Sequence, residues 1–116
     1  GNGTFGGTVS DSKGDLRKII ISAKSSAYTL VAADAGKAIY TSSGGVTVPN
    51  AVFSAGDAIT IINNSGSDQT ITQGSNVTLY NTADASTGNR TLAQRGMATM
   101  YFADSSTAYI SGAGLS

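Results

Sequence analysis

The chain has 116 residues and no formal net charge, with 7 basic and 7 acidic side chains. It contains no Cys and no His, and all of its acids are Asp. These absences exclude disulfides, thiolate or imidazole metal sites, and nucleophilic catalysis by Ser-His-Asp or Cys-His. The sparse Lys and Arg form no basic stripe for nucleic acid, and no apolar run reaches the roughly 18 residues of a membrane span. We therefore expect no cofactor, no nucleic-acid partner and no membrane insertion.

Composition divides the chain into two parts. Residues 1–13 are a Gly-rich arm or linker, and residues 14–116 are expected to form one β-domain. Charged residues make up 12% of the chain, against roughly 25% in typical soluble domains, and abundant Gly, Ser and Thr replace them. This mixture favours strands and tight turns over helices. Because the chain begins at Gly1 rather than Met, we expect a processed chain or part of a longer one.

Short runs of alternating apolar and polar residues predict ten strands, and no stretch keeps a helical period. In chain order they cover 16–22, 27–31, 37–41, 46–48, 58–62, 69–72, 77–80, 90–93, 97–103 and 107–111. Turn residues recur every eight to twelve positions, which is typical of a sandwich or barrel. No internal repeat of solenoid length is visible.

The central strands 58–62 and 69–72 flank a polar turn, 63–68, and so predict a hairpin of antiparallel strands. The predicted fold is an all-β antiparallel β-sandwich or jelly-roll-like domain. Val52 and Phe53 are expected to close one end of the sheet. The predicted core comprises Ile19, Ile21, Leu30, Ile39, Val46, Val48, Ile59, Ile61, Ile71, Val77, Leu79, Leu92, Ala98, Met100, Phe102 and Ile110.

Two polar loops are the candidate binding surfaces, because exposed loops on a sheet scaffold commonly carry recognition. The longer loop, 81–89, offers Asn81, Asp84, Thr87 and Asn89, and the shorter turn, 63–68, offers Asn63, Asn64 and Asp68. The alternative is that both are only solvated turns. The strand tyrosines have two interpretations as well, either packing and oligomer contact or stacking on sugars. The tyrosines are Tyr28, Tyr40, Tyr80, Tyr101 and Tyr109.

A resemblance to known proteins rests on AYTLVAADAGKAI (27–39), GGVTVPNAVFSAGDAITIINNSGSDQTITQG (44–74), TGNRTLAQRGMATM (87–100) and YISGAGLS (109–116), and the approach GDLRKI (14–19) is similar too. Through these segments, residues 25–116 resemble a small β-domain that recurs in tailed-phage virion proteins, chiefly at or near the C-terminus of tail-fibre and head-fibre chains. The resemblance implies a non-enzymatic structural role, usually as a homotrimer, and implies no active site.

The expected function is therefore a virion surface structure: a tail fibre, head fibre or capsid decoration that can touch the host surface. Its expected partners are two further copies of itself, other virion proteins and a host glycan or protein. Three alternatives remain open at this stage. They are a carbohydrate-binding module of a secreted bacterial protein, a depolymerase fragment that uses two Asp, and a cement protein between capsid subunits.

Overall fold

The computed structural model describes residues 19–116, so the predicted arm 1–13 and the first three residues of the predicted strand 16–22 lie outside the described residues. The all-β class is confirmed, and the strands form one nearly closed, barrel-like sheet. A short 3-10 turn covers Ala32–Asp34. The strands are β1 Ile21–Lys24, β2 Tyr28–Thr29, β3 Ala38–Thr41, β4 Val46–Val48, β5 Ala58–Asn63, β6 Gln69–Gln73, β7 Thr78–Asn81, β8 Arg90–Asp104 and β9 Thr107–Leu115.

The chain winds through this sheet in three rungs, each made of two strands joined at a corner. β1 and β2 form the first rung, β3 and β4 the second, and β5 and β6 the third. The odd-numbered strands pair in parallel as a first column, and the even-numbered strands pair in parallel as a second column. β8 then runs antiparallel along the whole third rung, pairing with both β5 and β6. β9 pairs with β8 and with β7.

The predicted antiparallel hairpin is wrong, because β5 and β6 pair with β8 and not with each other. The polar segment 64–68 between them turns a corner within one rung. Five of the eight strand pairings in the described chain are parallel, so the predicted antiparallel arrangement fails for most of the sheet. A period of two reports which face of a strand is buried and carries no information about strand direction.

Two strands also differ from the expectation. The predicted strands 90–93 and 97–103 are one bent strand, β8, and Arg95 adopts a φ of 58° at its bend. β1 covers Ile21–Lys24, whereas the sequence predicted a strand over residues 16–22. The rungs grow in length, because Ile21 pairs with Ala38, 17 residues on, and Ala38 pairs with Thr60, 22 residues on. A winding chain with unequal rungs leaves no fixed sequence period to detect.

The core lies between the two columns and matches the prediction at fourteen of sixteen positions. Ile19 and Ile21 were predicted wrongly, because they are 58% and 63% exposed at the open first rung. Phe53 closes one end of the core as expected, with its ring centroid 4.7 Å from that of Phe102. Ala38 and Ala108 are also buried, although the predicted core did not include them.

Two buried side-chain amides connect the corners of successive layers. Asn63 is fully buried, and its Nδ2 donates to the carbonyl oxygens of Ser67, Leu92 and Ala93 at 2.8–3.0 Å. These bonds join the corner of the third rung to the bend of β8. Its Oδ1 accepts from Gln69 Nε2 at 2.8 Å. The carbonyls of a bent strand that face inward therefore find donors.

Gln69 makes the equivalent connection one layer earlier. Its Nε2 donates to the carbonyl of Thr41 at 3.0 Å, and its Oε1 accepts from Gly45 N–H at 3.0 Å. Both partners belong to the corner of the second rung. A buried backbone group without a partner costs as much free energy as a lost hydrogen bond. These two amides stabilise the tight winding because they bond the backbone groups at the corners.

The first rung is closed by a carboxylate in the 3-10 turn. Asp34 is buried, and its Oδ2 accepts from Tyr28 Oη at 2.7 Å and from Val31 N–H at 2.9 Å. The hydrogen bond to Asp34 is the main cause that raises the pKa of Tyr28 to about 12, with burial and the negative charge of Asp34 adding to it. Lys24 Nζ lies 4.0 Å from the centroid of the Tyr28 ring.

Replacing Asn63 by Asp tests the corner network, because it keeps the shape of the side chain and removes its donors. We expect Asn63→Asp to lower the free energy of unfolding by roughly 3 kcal/mol near neutral pH, since the new oxygens face three carbonyls. Urea denaturation measures this change. The control is Asn76→Asp at an exposed site, which should change stability by less than about 0.5 kcal/mol. Equal effects of the two substitutions would contradict the assigned role.

Gly45 tests how closely the rungs approach, because it has a φ of 70° and an added Cβ would collide with the carbonyl oxygen of Thr70. Gly36 is the matched control, with a φ of 81° and open space around its Cα. We expect Gly36→Ala to cost roughly 1 kcal/mol, from the left-handed backbone alone, and Gly45→Ala to cost at least about twice as much. Thermal unfolding of both variants gives the comparison, and similar costs would refute the close approach.

Candidate interaction surface

The main candidate interaction surface of the described chain is the outer face of the first column, continued across β8, β9 and β7. It is built from the outward positions of β1, β3, β5, β8, β9 and β7, and we call it the uncharged face. Period-two alternation fixes its members, because the intervening positions carry the core. The exposed and half-buried outward positions across its centre hold no charged side chain. They are Ile21, Ala23, Tyr40, Ala58, Thr60, Ile62, Thr78, Tyr80, Met97, Thr99, Tyr101, Ala103, Thr107, Tyr109, Ser111 and Ala113. Two charged and exposed side chains of β8 lie at its ends, Asp104 in register with Thr107 and Arg95 at the bend.

Strand register divides the centre of this face into three rows. Tyr40, Ile62 and Met97 are neighbours across β3, β5 and β8, and we call them the Met97 patch. A row of hydroxyl side chains follows, comprising Thr60, Thr99 and Ser111. The third row, which we call the tyrosine patch, consists of Tyr101, Tyr109 and Tyr80.

The tyrosines of this patch stand side by side on neighbouring strands. The ring centroids of Tyr80 and Tyr109 are 5.1 Å apart, with 16° between the ring planes. That separation is close to the spacing of adjacent strands, so the two rings stack along the sheet and turn their faces toward each other. Tyr101 is 52% exposed and Tyr109 41% exposed. Within the pair, one face of Tyr80 and one face of Tyr109 are therefore covered by the other ring.

The second column presents a different outer face. Its outward positions form a threonine ladder, with Thr29, Thr47 and Thr72 in register across β2, β4 and β6. Thr70 and Thr91 extend it onto β8. Hydroxyls hydrate well, so this face needs no partner. The threonine ladder is therefore a surface of the same sheet against which the apolar side chains of the uncharged face can be compared.

Some residues of the two predicted binding loops are buried, and the shorter loop, 63–68, shows this first. Asn63 is fully buried and belongs to the corner network, so its predicted role as a surface-binding residue is wrong. Asn64 is half-buried, and its Oδ1 accepts from Arg95 Nη1 at 2.7 Å. Asp68 is exposed. Polar side chains at a corner are required by the bend, and that requirement explains their presence without a ligand.

The longer predicted loop joins β7 to β8 and also makes internal bonds. Asn81 is buried, against the prediction, because its side chain caps the start of the loop at Ala83 N–H. Thr87 is exposed and bridges to Tyr80 through the backbone. Asn89 Oδ1 accepts from Gln73 N–H at 2.9 Å. The residues that reach solvent are Asp84, Thr87 and Asn89.

Asp84 orders the tip of this loop. Its Oδ1 accepts from the Ser86 hydroxyl at 2.6 Å and from Ser86 N–H at 3.0 Å. These two bonds, the hydroxyl first, hold the pKa of Asp84 below its ordinary value, and the nearby Arg90 guanidinium contributes in the same direction. The carboxylate is therefore engaged within its own turn.

A shallow cavity of about 250 Å³ lies where the Met97 patch meets the corners. Its lining includes Tyr40, Lys24 and Asn64. Near it, Lys24 Nζ lies over the Tyr28 ring, and Asn64 Oδ1 accepts a hydrogen bond from Arg95 Nη1. Residues 19–116 contain no group of three or more His, Cys, Asp or Glu that could hold a metal ion. No helix within them is long and apolar enough to cross a membrane.

Comparison of the sequence with protein-family models gives no match, and comparison with the curated proteins gives none either.

The Asp84 turn predicts a pH response that Ser86→Ala tests. The folded-state pKa is depressed, so the carboxylate stabilises the loop above the ordinary pKa and this contribution is lost as the pH falls through the depressed value. Removal of the hydroxyl should return the Asp84 pKa toward its ordinary value, as followed by carbon NMR of the side-chain carboxyl. Ser106→Ala, which affects the analogous bonds to Asp104, should leave Asp84 unchanged. An unaltered Asp84 titration in Ser86→Ala would contradict this assignment.

Proposed function

We propose that this chain is a non-enzymatic structural module of a phage virion surface appendage, and that it works as a homotrimer. The appendage is a tail fibre, a head fibre or a capsid decoration. The single observation that carries the proposal is the uncharged face, a rigid exposed surface that suits contact between subunits. A tightly wound, cysteine-free domain also suits a part that must persist outside the cell without redox chemistry or metal.

The arrangement of the carboxylates supports a non-enzymatic role. Asp84 and Asp104 accept bonds from Ser86 and Ser106, two residues further along the chain, and Asp57 accepts from Ser54 N–H at 3.0 Å. Asp34 is buried against Tyr28. Each of these acids is thus committed to its own turn or rung. A depolymerase that cleaves sugars with two carboxylates needs a pair that converges on one cleft, and these positions do not supply it.

The second candidate is a carbohydrate-binding module, and the stacked tyrosines argue against it. A sugar ring packs on an aromatic face that is turned to solvent. In the tyrosine patch, one face of Tyr80 and one face of Tyr109 are covered by each other. Contact with another protein surface fits this geometry better.

The proposal extends to location and partners. The chain belongs on the virion, where it contacts other tail or capsid proteins. Host-surface recognition is assigned to the solvent-facing tips at Asp68, Asp84, Thr87 and Asn89, of which Thr87 borders the uncharged face through its bridge to Tyr80. The cement alternative places the same chain between capsid subunits, where the loops would be covered.

Labelling of intact particles tests this function. Particles from cells that make the chain are exposed to an antibody against the purified domain and imaged with gold. We expect label on projecting appendages, since the loops are accessible there. The control is the same antibody after absorption with purified domain. Particles without label in a lysate that contains the chain would contradict a virion role, and label confined to disrupted capsids would favour the cement role.

A further inference from the structure

We propose that the uncharged face is covered by a second copy of this chain, with the Met97 patch of one copy packed on the tyrosine patch of the next. Repetition of this contact around a threefold axis closes a ring. The inference rests on the proposed homotrimer and adds the surface and the residues that form it. It follows from charge, area and the layout of the two patches.

The absence of charge on this face is the first argument. Sixteen exposed or half-buried positions on six described strands carry no Asp, Lys or Arg, and the charged side chains Arg95 and Asp104 of β8 lie at the ends of the face. A neutral centre meets an identical copy without like-charge repulsion and without burying an unpaired ion. The threonine ladder of the second column is equally free of charge but is hydrated by its hydroxyls, so the apolar side chains distinguish the uncharged face.

The exposed apolar area is the second argument. The exposed fractions are 63% for Ile21, 37% for Tyr40, 54% for Met97, 52% for Tyr101 and 41% for Tyr109. With about 200 Å² for each large side chain, these five present roughly 500 Å². A standard contact takes about 800 Å² from each partner, of which about 65% is apolar in homodimers. Because each contact pairs one patch from each of two copies, it covers these roughly 500 Å² once in total, which is about half of the apolar area of a standard contact.

The third argument concerns which surfaces meet. A closed ring requires two different patches on each copy, because each copy contacts one neighbour with one patch and the other neighbour with the second patch. The uncharged face has two such patches, one of mixed Met, Ile and Tyr and one of tyrosines alone, separated by the hydroxyl row. Tyr109 lies at the middle of its patch, between Tyr80 and Tyr101, and Tyr is enriched among residues that dominate contact energies.

Sedimentation of single variants tests the face. Wild-type chain should sediment at three times the mass of the 11.6 kDa monomer. We expect Tyr109→Arg and Met97→Arg each to weaken association at least about thirtyfold, because each places an unpaired charge in the contact. Thr70→Arg on the threonine ladder is the matched control and should assemble as wild type does. Far-ultraviolet circular dichroism should show that all three variants are folded.

A mixing experiment tests the pairing of the patches. Met97→Arg chains retain an intact tyrosine patch, and Tyr109→Arg chains retain an intact Met97 patch. An equimolar mixture should therefore form heterodimers, while each variant alone stays monomeric. A mixture that stays monomeric would overturn the pairing of these patches.

The remaining outcomes separate this inference from the proposed function. Full assembly of folded Tyr109→Arg and Met97→Arg would overturn the uncharged face as the contact and leave the trimer standing. A wild-type monomer up to the solubility limit would overturn the self-association and the trimer together. Absence of label from particles would refute the virion role without bearing on the contact.

Discussion

A strand that bends sharply at a corner cannot pair all of its carbonyls with the layers above and below it. In this molecule the bends of three successive layers lie over one another, and their inward carbonyls would be buried without donors. Asn63 and Gln69 supply those donors from a single rung and reach one layer on either side. The parallel columns, the wrapped path of β8 and the shape of the uncharged face all require bends at these positions. The amide pair is therefore the constraint on which the rest of the fold depends.

The corner side chains and the uncharged face have different roles, because the corners satisfy buried backbone groups and the face is exposed. Polar residues that look like recognition elements in the sequence, such as Asn63 and Asn81, are buried where they satisfy the backbone. The proposed contact uses instead the tyrosines and Met97, which are exposed on paired strands. The sequence predicted binding at the polar loops, whereas the proposal places subunit contact on the strands. The proposed role as an appendage module depends on this placement, because assembly then uses rigid strands and leaves the loop tips free.

Sequence patterns predicted the β class, most strand positions and nearly all of the core, because period-two alternation reports burial directly. Direction and pairing were not predictable in the same way, since the segment 63–68 has the composition of a hairpin turn and serves as a corner. Ile21 ends a run of three isoleucines, in which alternation does not show which side chain faces the core, and the register places it at an outward position of β1. The uncharged face could have been read from the strand 97–103, whose second set of alternating positions holds Met97, Thr99 and Tyr101. Its extension across six strands required the register.

The path of β8 has a consequence for synthesis of the chain. β5 and β6 both depend on β8 for the partner that completes the third rung, and the pairing of Ala58 with Tyr101 spans 43 residues. A ribosome delivers residues 58–73 well before residues 90–104, so the growing chain carries an open strand edge during that interval. Late, non-local pairing of this kind is slow and leaves nascent chains prone to stick to one another. Many copies made on neighbouring ribosomes would therefore benefit from a chaperone that shields this edge until translation passes Asp104.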